Sequence, residues 1–250
     1  MPHYLKVSQT ASTNTYLSRL AATLPGGTVI YTPCQTAGRG QKGNSWESED
    51  GKNLTFSMLL KRPPVKARDQ FCLSEAAAVA VVEALSAEAG DGFTVKWPND
   101  VYWQDKKICG MLIENSLDGA DIATCIIGIG INVNQQRFVS DAPNPVSLTN
   151  IMDREHDLEP LLKRVCLRIE QLVNTLGDEA AREQLHGQYM AALYRNDGKM
   201  HPFEDADGRR FMATMAGIAP DGTLTLQHED GTRRDYLFKE VKHVINNTVL

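Results

Sequence analysis

The sequence contains no run of about 18 consecutive apolar residues, so no helix is expected to cross a bilayer. Its start, Met1-Pro2-His3-Tyr4-Leu5, lacks the charged-then-apolar order of a secretion signal. The five cysteines, Cys34, Cys72, Cys109, Cys125 and Cys166, are odd in number, widely spaced and include no C-x-x-C. That usage points to reduced thiols and a cytoplasmic protein. Among the six histidines there is no H-E-x-x-H and no Cys/His cluster, so no zinc site is expected. A hard cation carried by phosphate oxygens would leave little trace in sequence. An excess of positive charge is missing too. The formal net charge is −5, which argues against nucleic-acid or membrane binding driven by bulk charge. Neither an internal repeat nor a low-complexity linker is present.

What the 250 residues do provide is length for one large domain and a small one. Ser12 or Thr13 can cap a helix to about Leu24, with Tyr16, Leu17, Leu20 and Leu24 on one face. Strands are expected over Thr28–Thr32 and 53–60, and a long alanine-rich helix over 70–89 that Gly90 and Gly92 end. Shorter strands follow over Phe93–Lys96, 101–103, 107–115 and 122–134, with a hairpin turn at Gln104-Asp105-Lys106. A helical turn over 147–152 comes next. Pro160 suits the first position of a helix running toward Leu176, and 178–194 reads as another helix. Beyond Arg195-Asn196-Asp197-Gly198 the pattern turns to short strands, with strong turns at Pro220-Asp221-Gly222 and Glu229-Asp230-Gly231. The expectation is an α+β protein: a mixed, largely antiparallel sheet packed with helices over 1–195, and a small β barrel or sheet over 196–250.

The first candidate for chemistry is the loop from Gln35 to Trp46. It holds Gly38, Gly40 and Gly43 together with Arg39 and Lys42. Glycines let the backbone turn and approach a ligand, successive N–H groups make an anion-binding concavity, and Arg grips phosphate with paired bonds. Gly38, Gly40 and Gly43 also spell G-x-G-x-x-G. A dinucleotide site needs that string between a strand and a helix with an acid further on. Here Glu47 to Gly51 is turn chemistry, a strand follows, and the acid position falls at Pro63-Pro64. The dinucleotide reading is rejected. A plain glycine-rich surface loop is the commoner meaning of such a string, and Arg39 and Lys42 favour an anion site instead.

Two further stretches stand out. In Lys96-Trp97-Pro98-Asn99-Asp100, Pro98 fixes the backbone and pins Asn99 and Asp100 at a strand end, with Lys106, Lys107 and Gly110 close behind. A carboxylate and a lysine brought together there can serve acid–base and charge-stabilising roles, or be a surface ion pair. Trp97 alone reads as core. In Ile126 to Asn134, Gly128 and Gly130 share one strand face, where something approaches the backbone closely or a neighbouring helix needs space.

Taken together, Ser12-Thr13-Asn14, the Gln35–Trp46 loop, Lys96 to Asp100, Lys107 to Gly110 and Gly128-Ile129-Gly130-Ile131-Asn132 resemble the biotin protein ligase family, in its order and at its spacing. The resemblance covers essentially the whole chain, and Lys-Trp-Pro-Asn-Asp is its most specific motif. It implies a class II synthetase-like catalytic domain plus an SH3-like C-terminal barrel. Also implied is ATP- and Mg²⁺-dependent activation of biotin to biotinyl-5′-AMP, then transfer to a lysine of a biotin carboxyl carrier domain. By resemblance, biotin is contacted by Ser12, Thr13, Asn14, Gln35, Gly38, Arg39, Gly40, Gln41, Trp46, Lys107, Gly110 and Gly128. The adenylate is held by Arg39, Gln41, Lys42, Trp46, Asn99, Lys107, Gly130 and Asn132. Arg39 and Lys107 stabilise developing charge, and Asp100 orients the incoming amine. No metal-ligating residues are expected, Mg²⁺ arriving with ATP phosphates. Two departures are Gln41 and Asn44, where many members carry Arg. A larger departure is that Ser-Thr-Asn begins at residue 12, which leaves no room for the DNA-binding domain of bifunctional members, so no repressor role or nucleic-acid partner is expected. A homodimer stays open. The competing readings are a lipoate or octanoate ligase or transferase, and a non-catalytic biotin or nucleotide sensor.

Overall fold

A computed structural model describes residues 1–41, 43–139 and 144–245. Strands run β1 His3–Lys6, β2 Gln9–Thr10, β3 Thr28–Thr32, β4 Cys34–Gln35, β5 Gly38–Arg39, β6 Ser45–Trp46, β7 Leu54–Lys61 and β8 Phe93–Lys96. They continue with β9 Asp100–Trp103, β10 Lys106–Asp118, β11 Asp121–Ile131, β12 His201–Asp205, β13 Arg210–Ile218, β14 Leu224–His228, β15 Arg233–Tyr236 and β16 Val241–His243. The α-helices are α1 Thr13–Leu20, α2 Phe71–Ala89, α3 Leu148–Met152, α4 Leu158–Thr175 and α5 Glu179–Ala191.

A seven-stranded sheet in the order β1-β3-β7-β11-β10-β9-β8 forms the main layer. Only β1 and β3 pair in parallel; the other ladders are antiparallel. The two-residue side-chain period decides what each face carries. Ile30, Leu59 and Ile126 pack with Leu17 and Ala21 of α1 on one face. Val29, Met58 and Ile127 join the larger core under α2, α4 and α5 on the other. Helix α2 is apolar on every side and mostly buried. Its composition and length would fit a membrane span, but two thirds of that stretch is buried inside the protein, which marks it as a core helix.

A second, five-stranded antiparallel sheet follows in the order β15-β14-β13-β12-β16. Gly222 and Gly231 turn through positive φ, as the two Asp-Gly signals predict. Among the described residues no ladder joins β15 to β16, so the sheet is open along that seam. Trp97 fastens the two parts together: its Nε1–H donates to the Gly222 carbonyl at 2.9 Å and its ring stacks on Phe238 with centroids 5.3 Å apart. Phe71 fills the space where a Cβ at Gly222 would project.

Three local expectations need correction. Helix α1 stops at Leu20, and Leu24 packs from the turn that follows. Pro160 is the third residue of α4, not the first; any early position suits it, because the first four N–H groups of a helix have no intrahelical acceptor. Strand β11 ends at Ile131, so Asn132 to Asn134 lie beyond it. Replacing Trp97 by Phe strands the buried Gly222 carbonyl at a cost of about 1–3 kcal/mol. Urea denaturation should show a lower midpoint for that variant; an unchanged midpoint contradicts the fastening role.

Candidate functional site

Strand register builds the floor of a cleft of about 520 Å³. Directly paired residues of antiparallel strands share a face. Ser57, Gly128 and Leu112 therefore form one row, and Thr55, Gly130, Gly110, Asp100 and Lys96 form the next. Side chains from elsewhere lie where the glycines leave space. The Asn14 amide sits over Gly128, and the Trp46 indole lies over Gly130 and against Gly110, so a Cβ at Gly128 or Gly130 would collide with them.

Asn14 is locked in one orientation. Its Nδ2 donates to the Leu112 carbonyl at 3.1 Å and to Glu114 Oε2 at 2.8 Å, while its Oδ1 accepts from Ser57 Oγ at 2.5 Å. Ser57 also bonds Thr13 Oγ1 at 2.7 Å, and Gln35 Oε1 accepts from the Thr13 N–H at 2.9 Å. Ser12 caps α1 through a bond from Thr15 N–H to its Oγ. The result is a buried polar end to the cleft, organised by the first turn of α1.

The glycine loop is a hairpin, not a strand–helix turn, which agrees with rejecting the dinucleotide reading. Gly38 pairs with Trp46 and Arg39 with Ser45, and Gly40 N–H bonds the Asn44 carbonyl at 2.7 Å. Gly43 turns at φ +91°. Arg39 leaves this hairpin to meet the Glu114 carboxylate, with Nη2 at 2.8 and 3.0 Å from its oxygens. Both partners are about half exposed, and such pairs contribute only about 0–1 kcal/mol.

At the centre, a register shift between Lys107 and Cys109 re-aims Lys107 into the cleft. Its Nζ lies 2.8 Å from Asp100 Oδ1 and 5.8 Å from the Trp46 ring centroid. The backbone of Lys107 is held on both sides, by bonds to the Asn144 carbonyl and from the Val146 N–H. Asn99 donates to the Met111 carbonyl and accepts from its N–H, which fixes the strand end beside Asp100.

The structure brings to the cleft Ser12, Thr13, Asn14, Gln35, Arg39, Gly40, Gln41, Trp46, Asn99, Asp100, Lys107, Gly110, Gly128 and Gly130. Gly38 is not on its wall; Gln35 and Trp46 pack against it from both sides. Asn132 is not there either. It is buried, with its amide on the Val146 carbonyl, and it secures the segment leading into α3. Lys42 lies outside the described residues. Sequence reasoning missed Ser57 and Glu114, which hold Asn14, and Lys96, Glu204, Lys242 and His243, which line the opposite end. Only the strand pairing could have revealed the first two.

Comparison with known proteins identifies the family. The sequence model of the Biotin/lipoate A/B protein ligase family matches residues 7–132. The chain belongs to this family. A bifunctional ligase/repressor BirA of Bacillus spizizenii is 40% identical over 221 residues, 85% of this chain and 65% of its own length. The biotin–[acetyl-CoA-carboxylase] ligase of Mycobacterium tuberculosis is 31% identical over 198 residues, 74% of this chain and 68% of that protein. The chain thus spans about two thirds of these curated relatives, and the matched region is 41% of the Escherichia coli bifunctional ligase/repressor. Among solved structures, a biotin protein ligase from Aquifex aeolicus in complex with biotin and ATP superposes with TM-score 0.79 at 25% identity, over 98% of this chain and 100% of that one.

His243 of this ligase-family fold sits at the cleft's far end, its ring against Phe203 and Tyr194. Burial, then the charges of Lys96, Arg195 and His201, push its pKa down to about 3. Neither ring nitrogen has a hydrogen-bond partner. The unfolded chain takes up a proton near the ordinary histidine value of about 6.5, the folded chain far lower. Stability from this group is complete above that value and is lost as pH falls toward 3. His243→Phe should therefore flatten the fall in folding stability between about pH 6.5 and 5, read by denaturant titration; an unchanged slope contradicts the assignment.

Proposed function

We propose that this chain is a biotin protein ligase: it activates biotin with ATP to biotinyl-5′-AMP and transfers the biotinyl group to a lysine of a carboxylase carrier domain. The observation that carries the reading is the pairing of a polar pocket at the α1 N-terminus with a Lys107–Asp100 ion pair across a glycine-floored cleft. Family membership supports it, as do relatives named for biotin ligation to acetyl-CoA carboxylase. In this reading 1–195 is the catalytic domain and 196–250 a small second domain, a division supported by the position of Phe203, Glu204, Lys242 and His243 at one end of the cleft.

The resemblance supplies the roles, and the positions of these residues in the cleft support them. Hydroxyl and amide groups of Ser12, Thr13 and Gln35, beside Asn14, meet the hydrogen-bonding ureido ring, and the tail runs over Gly128 toward Trp46 and Gly110. The carboxylate then lies between Arg39 and Lys107. One of its oxygens attacks the α-phosphorus, the bond to the αβ-bridging oxygen breaks and pyrophosphate leaves with its electron pair, and those two cations stabilise the charge that builds on the phosphoryl oxygens. Lys107 leaves Asp100 as it takes the substrate oxygen, so the freed carboxylate can orient the carrier amine and accept its proton. In the second step the amine attacks the acyl carbon and AMP departs. Trp46 shields the acyl-adenylate from water. Gln41 reaches the cleft without charge, so among the described residues of the loop the cationic grip comes from Arg39.

Among the described residues no three His, Cys, Asp or Glu side chains come together as a metal cage. Asp100 and Glu204 are each held by a lysine. Mg²⁺ fits this site only as an ion carried on nucleotide phosphates, where it would neutralise phosphate charge.

A lipoate-specific ligase shares the family. The polar end of the cleft at Ser12, Thr13, Asn14 and Gln35 favours biotin, because a dithiolane ring offers those groups no hydrogen-bonding partner in place of the ureido ring. Competition binding should show biotin displacing a labelled biotin probe where lipoate does not; a preference for lipoate overturns the choice. Gly128→Ala should weaken biotin binding at least tenfold in calorimetry by driving the Asn14 amide off the floor, an effect of about 1.4 kcal/mol or more. Lys107→Ala should slow biotin-dependent pyrophosphate exchange into ATP by about 10²–10³, with biotin affinity changed far less. Exchange at the wild-type rate in that variant removes Lys107 from the chemistry.

A further inference from the structure

Glu114 stands outside the cleft wall. It pairs with Ile126 in the ladder, one row beyond the Leu112–Gly128 row that floors the polar end. Its carboxylate nonetheless reaches two side chains that do line the cleft, Asn14 and Arg39. Oε2 accepts from Asn14 Nδ2 at 2.8 Å and from Arg39 Nη2 at 2.8 Å, and Oε1 lies 3.0 Å from the same guanidinium nitrogen. Asp100 and Glu204 hold cations. Glu114 differs in holding a cation and a neutral amide through one oxygen.

A ligand affects these two bonds differently. Asn14 is buried, and its Nδ2 donates to the Leu112 carbonyl as well as to Glu114, while its Oδ1 accepts from Ser57 Oγ. A buried amide keeps its acceptors, because leaving a donor unsatisfied is costly. Arg39 is about half exposed, and an ion pair of that kind is weak. A ligand carboxylate can therefore draw Arg39 away from Glu114, whereas a ring bound beside Asn14 leaves the amide bond intact. The three residues also come from three elements: Arg39 from the β5–β6 hairpin, Asn14 from the first turn of α1 and Glu114 from β10. One carboxylate is the junction of all three.

We propose that Glu114 is a positioning residue with two roles: it fixes the Asn14 amide throughout, and it holds Arg39 in reserve until a ligand presents an anion. The proposal rests on the ligase reading and deepens it, by naming the residue that sets how tightly the site holds the carboxyl end of its ligand. Every anion that Arg39 binds must first displace an acid of the chain. Biotin and its acyl-adenylate meet that competitor. A biotinyl amide, the form attached to a lysine after transfer, carries no charge at that carbon and does not meet it. Arg39 therefore returns to Glu114 once the amide has formed, and its hold on the carboxyl end disappears with the charge.

The test is calorimetry on the full chain with two probes, biotin and biotinamide, which share the ring and differ in charge at the carboxyl carbon. Glu114→Gln keeps an acceptor for Asn14 and removes the charge that holds Arg39. Biotin should then bind about two- to fivefold tighter, the range expected when a half-exposed competing ion pair is removed. Biotinamide should bind as it does to wild type. Glu114→Ala also removes the Asn14 acceptor and should weaken biotinamide by about two- to tenfold, the worth of one hydrogen bond, a loss that Glu114→Gln restores. In an Arg39→Gln background, Glu114→Gln should leave biotin affinity unchanged, because the cycle isolates the pair. Unchanged biotin affinity in folded Glu114→Gln protein overturns the proposal and leaves the ligase reading intact. So does an equal gain in the Arg39→Gln background, which marks a general field effect, and so does equal weakening of both probes by Glu114→Gln, which marks a structural role. A wild-type chain that does not bind biotin overturns both.

Discussion

Two adjacent rows of the main sheet lack side chains where the cleft needs depth, and the rest of the site depends on that. Gly128 lets the Asn14 amide rest on the strand; Gly110 and Gly130 let the Trp46 indole do the same one row further along. Neither contact tolerates a Cβ without displacing the side chain above it. The glycines also bring backbone from two strands, β10 and β11, within reach of whatever lies between Asn14 and Trp46. A sheet face that would ordinarily bury isoleucines, as it does next door at Ile126, becomes a binding surface by omission.

Charge is arranged on the same principle of paired positions. Glu114 ties Arg39 of the hairpin to Asn14 of the helix turn, Asp100 restrains Lys107, and Glu204 restrains Lys242. Each of these three cations is held by an acid of the chain, and a substrate anion can exchange with that acid. This keeps the cost of desolvating clustered charge low while leaving the cations aimed inward. Trp97 links this arrangement to the C-terminal sheet, joining the strand that carries Lys96 to the turn that carries Gly222.

Much of this was legible in the sequence, and the failures have physical causes. Asn99 and Asp100 at a strand exit, the Asp100–Lys107 encounter, and close approach over Gly128 and Gly130 all followed from local chemistry and a two-residue period. Trp97 was correctly read as core. Asn132 belongs to the pocket only by resemblance; β11 has already ended at Ile131, and the side chain turns to the Val146 carbonyl. Ser57 and Glu114 sit in strands without any unusual local pattern; only the ladders that align Ser57 with Gly128, and Glu114 with Ile126, bring them to Asn14. Strand β1 has four mostly exposed residues and left no hydrophobic pattern to read.

The central claim is that the polar end at Asn14 and the cations Arg39 and Lys107 grip opposite ends of one molecule across the glycine rows. A crystal structure with biotinyl-5′-AMP tests it most directly. The account predicts the bicyclic ring beside Thr13 and Asn14, the acyl-phosphate between Arg39 and Lys107, and the tail crossing Gly128. A ligand bound elsewhere, or Arg39 still on Glu114 with Lys107 turned away from the acyl-phosphate, would contradict it.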